Sequence, residues 1–207
     1  NSCSVILSAH NSLACWGIEE YGTERQKEKF LRPLATGKKI GGFCLSEPES
    51  GSDATQQKTT AIDKGDHYLL NGAKMWISNS PFADIAVVWA KNESGRIKGV
   101  IVERGMDGFT TPETHNKWSL RASATGELVF DDVKIPKENI LPNKDGLGAP
   151  LGCLDSARYG IAWGAIGAAM DDRTEPWFNA VLSELEGERD YVHGFAMRCE
   201  TYYNAAQ

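Results

Sequence analysis

The sequence predicts an α+β fold in which an antiparallel β-barrel forms the middle domain and helical segments flank it. Apolar residues recur with helical spacing at the start of the chain, as short runs between turn residues from Ile40, and with helical spacing again after Pro150. Many short strands joined by turns are typical of a barrel or sandwich. We therefore predict the end of an N-terminal helical domain at 1–38, a β-barrel domain at 39–148, and a truncated or atypical C-terminal helical segment at 149–207.

The first 38 residues predict two helices. Apolar side chains line one helical face between Ile6 and Trp16, and Tyr21-Gly22 ends that helix. Thr23 and Gln26 have the spacing of a capping box, in which a hydroxyl and an amide cap the first turn of the next helix reciprocally. The apolar face and the end of this second helix are Phe30, Leu31, Leu34 and Gly37. With few apolar residues of their own, both helices are expected to pack on a larger element.

The region from Ile40 predicts a series of strands. Lys64-Gly65-Asp66, Asn71-Gly72 and Glu93-Ser94-Gly95 are turn sequences that we expect to join neighbouring strands as hairpins. The predicted strands are 40–45, 57–63, 67–71, 73–79, 85–91, 97–103, 109–113 and 127–132.

The remainder of the chain predicts helices. A connector with Pro and Gly occupies 137–149, and a buried helix runs from Pro150 to about Asp171. The tail predicts two further amphipathic helices, separated at Gly187. The longest apolar run, Tyr159–Met170, is too short to span a bilayer, so no membrane span is expected.

The most informative stretch is Phe43–Asp53, where a strand ends in a loop of Ser, Gly and Asp. Pro48 cannot donate a ladder hydrogen bond, and Gly51 allows backbone angles that other residues avoid. Backbone N–H groups and hydroxyls clustered at a strand end suit a polar heterocycle or a phosphate. On the pattern alone, a solvated turn after a strand is the favoured interpretation.

Composition excludes several classes of partner and site. The formal net charge of −6 and the pI of about 5.3 argue against nucleic acid or an anionic membrane as the main partner. The five cysteines are odd in number and lack CxxC spacing, which favours a reducing compartment over a disulfide framework or zinc site. The four histidines have no metal-binding spacing, so no metal is expected.

Five motifs together carry a family resemblance. The stretch Leu45–Asp53 is followed in order by Asn71-Gly72 with Trp76-Ile77-Ser78, then Arg121–Thr125, Leu128–Val133 with Pro136, and Asp155–Arg158. In this order they resemble the signature sequences of the flavin-dependent acyl-CoA dehydrogenase family, over about 4–171. The glutaryl-CoA dehydrogenase branch is the most similar, through 119–126 and 157–164.

The resemblance implies a fold, a cofactor and a reaction. Members place a β-barrel between two helical domains, bind FAD, and dehydrogenate an acyl-CoA thioester at its α,β-carbons. The residues implied for FAD binding are Phe43, Leu45, Ser46, Ser52, Trp76, Ile77 and Ser78. Those implied for acyl-CoA binding are Ser52, Leu154, Asp155 and Arg158.

Each of these residues also has an ordinary structural interpretation. A Trp on a strand, such as Trp76, is usually a core aromatic. Ser52 reads as a turn serine. Asp155 and Arg158 lie three residues apart on a helix, where a surface ion pair contributes only about 0.2–0.5 kcal/mol.

The catalytic base is the main departure from the family pattern. Most members place the catalytic Glu in a C-terminal helical domain with no counterpart here, and some place it just before the CoA-binding Arg, where this chain has Ala157. Four glutamates of the tail are speculative substitutes, namely Glu184, Glu186, Glu188 and Glu200. Glutaryl-specific relatives also hold the distal carboxylate with an Arg where this chain has Ser4.

The sequence thus predicts an FAD-dependent dehydrogenase acting on a short-chain or glutaryl-type acyl-CoA, with an electron-accepting flavoprotein as partner. Homo-oligomers are usual in the family, and the bacterial cytoplasm or mitochondrial matrix suits such an enzyme. A non-catalytic FAD- or acyl-CoA-binding fragment without the base is the alternative. An all-β interaction domain with helical additions is a third interpretation, and it predicts no flavin binding.

Overall fold

The computed structural model describes residues 2–169. Two helical segments open the chain. Helix α1 comprises Ser2–Ser8, a π-helical part at Ala9–Cys15, and Trp16–Tyr21; helix α2 comprises Glu24–Gln26, a π-helical part at Lys27–Leu31, and Arg32–Ala35. The capping box is confirmed: Gln26 N–H donates to the Thr23 hydroxyl at 3.2 Å, and Thr23 N–H donates to the Gln26 side-chain oxygen at 2.8 Å.

Seven strands form one mixed sheet that curls into a half-barrel, which confirms the α+β fold. The strands are β1 Gly41–Cys44, β2 Thr60–Asp63, β3 His67–Ser78, β4 Ile85–Lys91, β5 Ile97–Glu103, β6 Phe109–Thr110 and β7 Thr125–Pro136. Their order is β1-β4-β2-β3-β7-β6, with β5 on the other edge of β4. The hairpin of β4 and β5 is as predicted. The sheet is not wholly antiparallel, because β1 runs parallel to β4 from Gly41 opposite Ile85 to Cys44 opposite Val88.

The predicted turn at Asn71-Gly72 is wrong, because β3 continues through both residues. The strand pairing shifts register there, and the Asp132 N–H donates to the Asn71 side-chain oxygen at 2.9 Å. Gly72 has φ +136°, and a Cβ at this position would lie 2.6 Å from the Thr59 hydroxyl oxygen. Asn71-Gly72 therefore lies within one long strand, opposite a β-bulge whose extra residue belongs to β7, where Asp131 and Asp132 stand against Asn71 alone.

The core has two layers on opposite faces of β4. Ile85, Val87 and Trp89 face the cluster that includes the two opening helices, as the alternation of a strand requires. Ala86, Val88 and Ala90 face a second cluster with the other strands. Because both faces are buried, β4 is apolar from Ile85 to Ala90.

A buried histidine joins the opening helices to the sheet. The Gly41 N–H donates to His10 Nδ1 at 2.9 Å, so His10 Nε2 carries the proton and donates to the Leu34 carbonyl at 3.1 Å. Gly41 permits this contact, because a Cβ there would lie 2.8 Å from Ala14 Cβ. His10 thus holds α1 against the start of β1.

A long helix, α3, spans Gly148–Ala169 and begins two residues before the predicted start at Pro150. Ser2–Ala157 form one compact unit, and Arg158 begins a separate one. The predicted tail helices lie outside the described residues, and so do Glu184, Glu186, Glu188 and Glu200.

Candidate functional site

The loop after β1 is a compact turn. Glu47 and Ser50 exchange backbone hydrogen bonds, with Glu47 N–H donating to the Ser50 carbonyl at 2.9 Å and Ser50 N–H donating back at 3.2 Å. The Ser50 hydroxyl donates to the Asp53 carbonyl at 2.8 Å, which closes the loop. Gly51 is not among the residues with positive φ, so the turn does not use the left-handed backbone angles that glycine allows there.

Trp76 forms the opposite side of the site. The pairing of β3 with β7 shifts between Lys74 and Ile77, and Trp76 within this irregularity has φ +61°. Its side chain is 62% exposed, so the core-aromatic interpretation is wrong. A bulky residue in the left-handed region is uncommon, and such conformations occur preferentially at functional sites.

A cleft of about 230 Å³ lies between these two segments. It brings together most of the predicted flavin residues and one predicted acyl-CoA residue, namely Phe43, Leu45, Ser46, Trp76, Ile77, Ser78 and Leu154. It is also lined by Ala9, Leu13 and Gly51. The first two lie on the apolar face of α1, which the helical spacing predicts, but nothing local indicates that this face reaches the loop.

The other predicted site residues do not line this cleft. Ser52 is exposed in the loop, as the turn-serine interpretation predicts. Asp155 is exposed on α3, one residue after Leu154. Arg158 is exposed and belongs to the second compact unit.

The polar groups of the cleft remain available to a ligand. Within residues 2–169, the side-chain hydroxyls of Ser46 and Ser78 make no hydrogen bond, although both residues are only partly exposed. Phe43, Leu45 and Ile77 are buried and supply an apolar floor. A planar heteroaromatic ring fits this combination, because it needs an apolar surface below, an aromatic face beside it and hydrogen-bonding groups at its edge.

Lys74 is a residue of this site that the sequence reasoning missed. Its side chain is fully buried, and Nζ donates to Glu47 Oε1 at 2.8 Å, Gln57 Oε1 at 3.0 Å and the Leu45 carbonyl at 3.0 Å. Burial lowers the pKa of the Lys74 ammonium, against the attraction of the Glu47 carboxylate. The alternation of side chains along a strand could have revealed it. Lys74 is an even number of residues after buried Leu70 and so lies on the same face of β3.

The Glu47 carboxylate accepts three hydrogen bonds. Besides Lys74, the Lys58 N–H donates to Oε2 at 2.6 Å and the Thr59 N–H donates to Oε1 at 3.1 Å. Burial alone would raise the pKa of the Glu47 carboxyl, but the Lys74 ammonium and these hydrogen bonds hold it below its usual range. Glu47 is therefore a structural carboxylate.

No general base for proton removal lines the described part of the cleft. None of the residues that line it carries a carboxylate, and Ala157, the alternative position of the base, is buried. Among residues 2–169, no group of three His, Cys, Asp or Glu side chains is arranged to hold a metal ion. No helix in the same range is both long and apolar enough to cross a bilayer.

Family comparison agrees with the fold and the motifs. Residues 1–38 match the acyl-CoA dehydrogenase N-terminal domain, and residues 42–133 match the acyl-CoA dehydrogenase middle domain. The short-chain specific acyl-CoA dehydrogenase of Clostridium acetobutylicum is 45% identical over 171 residues, which cover 80% of this chain and 45% of that protein. The chain spans about half the length of the curated relatives that it matches.

Solved structures give the same result. A glutaryl-CoA dehydrogenase of Mycobacterium smegmatis in complex with FADH2 superimposes with a TM-score of 0.78 at 47% identity, covering 80% of this chain and 42% of the solved chain. Butyryl-CoA dehydrogenase of Megasphaera elsdenii superimposes with a TM-score of 0.79 at 35% identity, covering 95% of this chain and 59% of the solved one. The predicted resemblance is confirmed, and the chain belongs to the acyl-CoA dehydrogenase family.

Proposed function

We propose that the cleft binds the isoalloxazine ring of FAD. The supporting observation is that exposed Trp76 and the free hydroxyls of Ser46 and Ser78 line one cleft with an apolar floor. The indole is placed to cover a face of the ring, and the hydroxyls to meet its polar edge. A solved relative contains FADH2, which supports the choice of flavin.

We further propose an acyl-CoA thioester as substrate, held by Ser52, Leu154, Asp155 and Arg158. Leu154 lines the cleft and Asp155 follows it, which would bring α3 close to a substrate that meets the flavin there. The acyl group is of short-chain or glutaryl type, because relatives of both kinds are similar to this chain. The basic side chain of Arg158 suits a CoA phosphate.

The proposed reaction is α,β-dehydrogenation. Bound FAD would supply the acceptor for the hydride that leaves the β-carbon. The chain's own described residues hold and shield the ring, with Phe43 and Ile77 excluding water from below and the two serines fixing its orientation. Removal of the α-proton falls to a carboxylate outside the described residues, for which the tail offers Glu184, Glu186, Glu188 and Glu200.

The wider setting is also proposed from relatives. A similar protein, from Acetobacterium woodii, is subunit CarC of a caffeyl-CoA reductase–Etf complex, which supports an electron-transferring flavoprotein as partner. We propose a homo-oligomer in the bacterial cytoplasm or mitochondrial matrix, and domain limits at 1–38, 39–148 and 149–207.

The test is flavin retention followed by reduction. The purified chain is mixed with FAD, separated from the excess by gel filtration, and then given butyryl-CoA or glutaryl-CoA without oxygen. Retained absorbance near the flavin maximum that bleaches on addition of thioester is the expected result. A folded chain that elutes without flavin would refute the proposal.

A second function is favoured by the lack of a carboxylate in the described cleft lining. In this case the chain binds FAD and acyl-CoA but does not catalyse dehydrogenation. Retained flavin that a thioester perturbs without bleaching would identify this binding function. Bleaching that persists after Glu184, Glu186, Glu188 and Glu200 are all replaced by Gln would show that the base lies elsewhere.

A further inference from the structure

Lys74 holds the backbone of the candidate flavin site from behind. It is fully buried, and one of its three hydrogen bonds goes to the carbonyl of Leu45, the residue before Ser46. Lysine is almost never fully buried unless its charge is paired, and here Glu47 provides the counter-ion at 2.8 Å. This ion pair therefore contacts the backbone of Leu45, one of the residues that line the cleft.

Stability alone does not account for such a pair. A buried ion pair contributes little more than an apolar pair of the same size, because removing both charges from water offsets their attraction. An apolar pair could not hold a carbonyl group, whereas the Lys74 ammonium fixes the direction of the Leu45 carbonyl at 3.0 Å. What Lys74 does, and an apolar residue could not do, is orient the peptide group between Leu45 and Ser46.

That orientation decides where the next N–H group points. The described peptide bonds are all trans, so the Ser46 N–H points away from the Leu45 carbonyl and hence away from Lys74. Within residues 2–169 this N–H donates to no other group, and Ser46 lines the cleft. The following peptide is fixed independently, since the Ser46 carbonyl accepts from Met75 N–H at 2.9 Å.

We propose that Lys74, with Glu47 as counter-ion, is a positioning residue that directs and polarises the Ser46 N–H toward the polar edge of the bound flavin. This inference rests on the proposed FAD site. A hydrogen bond from an ammonium group withdraws electron density from the Leu45–Ser46 peptide and makes its N–H a stronger donor. A stronger donor stabilises an electron-rich ring, so Lys74 raises the affinity for flavin and eases its reduction.

The test compares Lys74→Met with Lys58→Met. Methionine keeps the length of the buried side chain, whereas Lys58 is an exposed lysine next to the same loop that pairs with Glu49. We expect Lys74→Met to raise the Kd for FAD about ten- to hundredfold, the range for one charge-assisted hydrogen bond, and to shift the midpoint potential of the bound flavin to more negative values. Lys58→Met should leave both unchanged.

The outcomes separate this inference from the proposed function. If the native chain binds no FAD, the proposed function fails and this inference with it. If the native chain binds FAD and a folded Lys74→Met chain binds it with the same Kd and potential, only the inference is overturned.

A third measurement applies if Lys74→Met does not fold. The native chain, labelled with ¹⁵N-serine, is titrated with FAD and followed by its amide proton resonances. A downfield shift of the Ser46 amide proton supports the inference. A Ser46 amide that does not move while flavin binds would overturn it.

Discussion

The backbone N–H of Met75 donates to the carbonyl of Ser46 at 2.9 Å, which joins the loop after β1 to the irregular part of β3. The two segments that form the cleft are distant in sequence: Lys74 contacts Leu45 across 29 residues. This backbone hydrogen bond fixes the distance between the two segments and does not depend on the side chains that line the cleft. Substitutions of those side chains should therefore change ligand binding more than they change stability.

Trp76→Ala should weaken FAD binding without unfolding the chain. Loss of an aromatic ring pair removes about 0.5–1.5 kcal/mol, so the Kd should rise about two- to twelvefold. Because Trp76 is 62% exposed, the melting temperature should change little. Fluorescence titration with FAD measures the Kd, and Trp118→Ala, at a side chain that is 98% exposed, is the matched control. Equal affinities for the two variants would contradict the assignment of Trp76.

Ser46→Ala and Ser78→Ala should each remove one hydrogen bond to the ring. A typical hydrogen bond contributes about 0.5–1.5 kcal/mol, so each Kd should rise about two- to twelvefold. Thr at either position keeps the hydroxyl and should retain most of the affinity. An effect of Ser→Thr as large as that of Ser→Ala would show that shape, and not the hydroxyl, matters there.

Glu47→Gln should destabilise the fold in a pH-dependent way. At neutral pH the change leaves Lys74 buried without its counter-ion, which costs about 3–5 kcal/mol of unfolding free energy. The pKa of Glu47 is below its usual range in the folded chain, so its stabilisation is present above the pKa of an unfolded glutamate and is lost as pH falls through the folded pKa. The difference between native and variant chains should therefore shrink in acid.

Urea unfolding of the native and Glu47→Gln chains, from pH 7 into the acid range, measures this difference in unfolding free energy. Glu49→Gln is the control, because Glu49 is an exposed carboxylate in the same loop whose ion pair with Lys58 lies at the surface. It should change the unfolding free energy by less than about 1 kcal/mol. A constant difference for Glu47→Gln across the pH range would contradict the assignment of a charged pair.

His10→Ala should loosen α1 from the sheet. The change leaves the Gly41 N–H and the Leu34 carbonyl without their partner, at about 1–3 kcal/mol for each buried group. Thermal unfolding measures the loss, and His115→Ala at an exposed position should stay within about 0.5 kcal/mol of the native chain. Similar stability of the two variants would refute the structural role of His10.

Local signals predicted much of the fold. The capping box of Thr23 and Gln26, the hairpin of β4 and β5, and the helical flanks each depend on residues close in sequence. The continuity of β3 did not follow, because Asn-Gly usually forms a turn, whereas here Asn71 pairs with a bulge in β7 and accepts a hydrogen bond from Asp132, 61 residues away.

The site was predicted only in part for the same reason. Family motifs indicated the loop and Trp76, but the left-handed backbone at Trp76 follows from the pairing of β3 with β7. Lys74 was missed because lysine on a strand is usually solvated, and its three acceptors come from the loop and the segment beyond it.

The central claim is that the cleft between Ser46 and Trp76 binds a flavin ring. The most direct measurement is a visible difference titration of FAD with the native chain and with a Ser46→Ala/Trp76→Ala double variant. We predict saturable one-to-one binding for the native chain and a Kd at least about fourfold higher for the folded double variant, the product of the two smallest single effects. A folded native chain that leaves the FAD spectrum unchanged, or a double variant with native affinity, would contradict the claim.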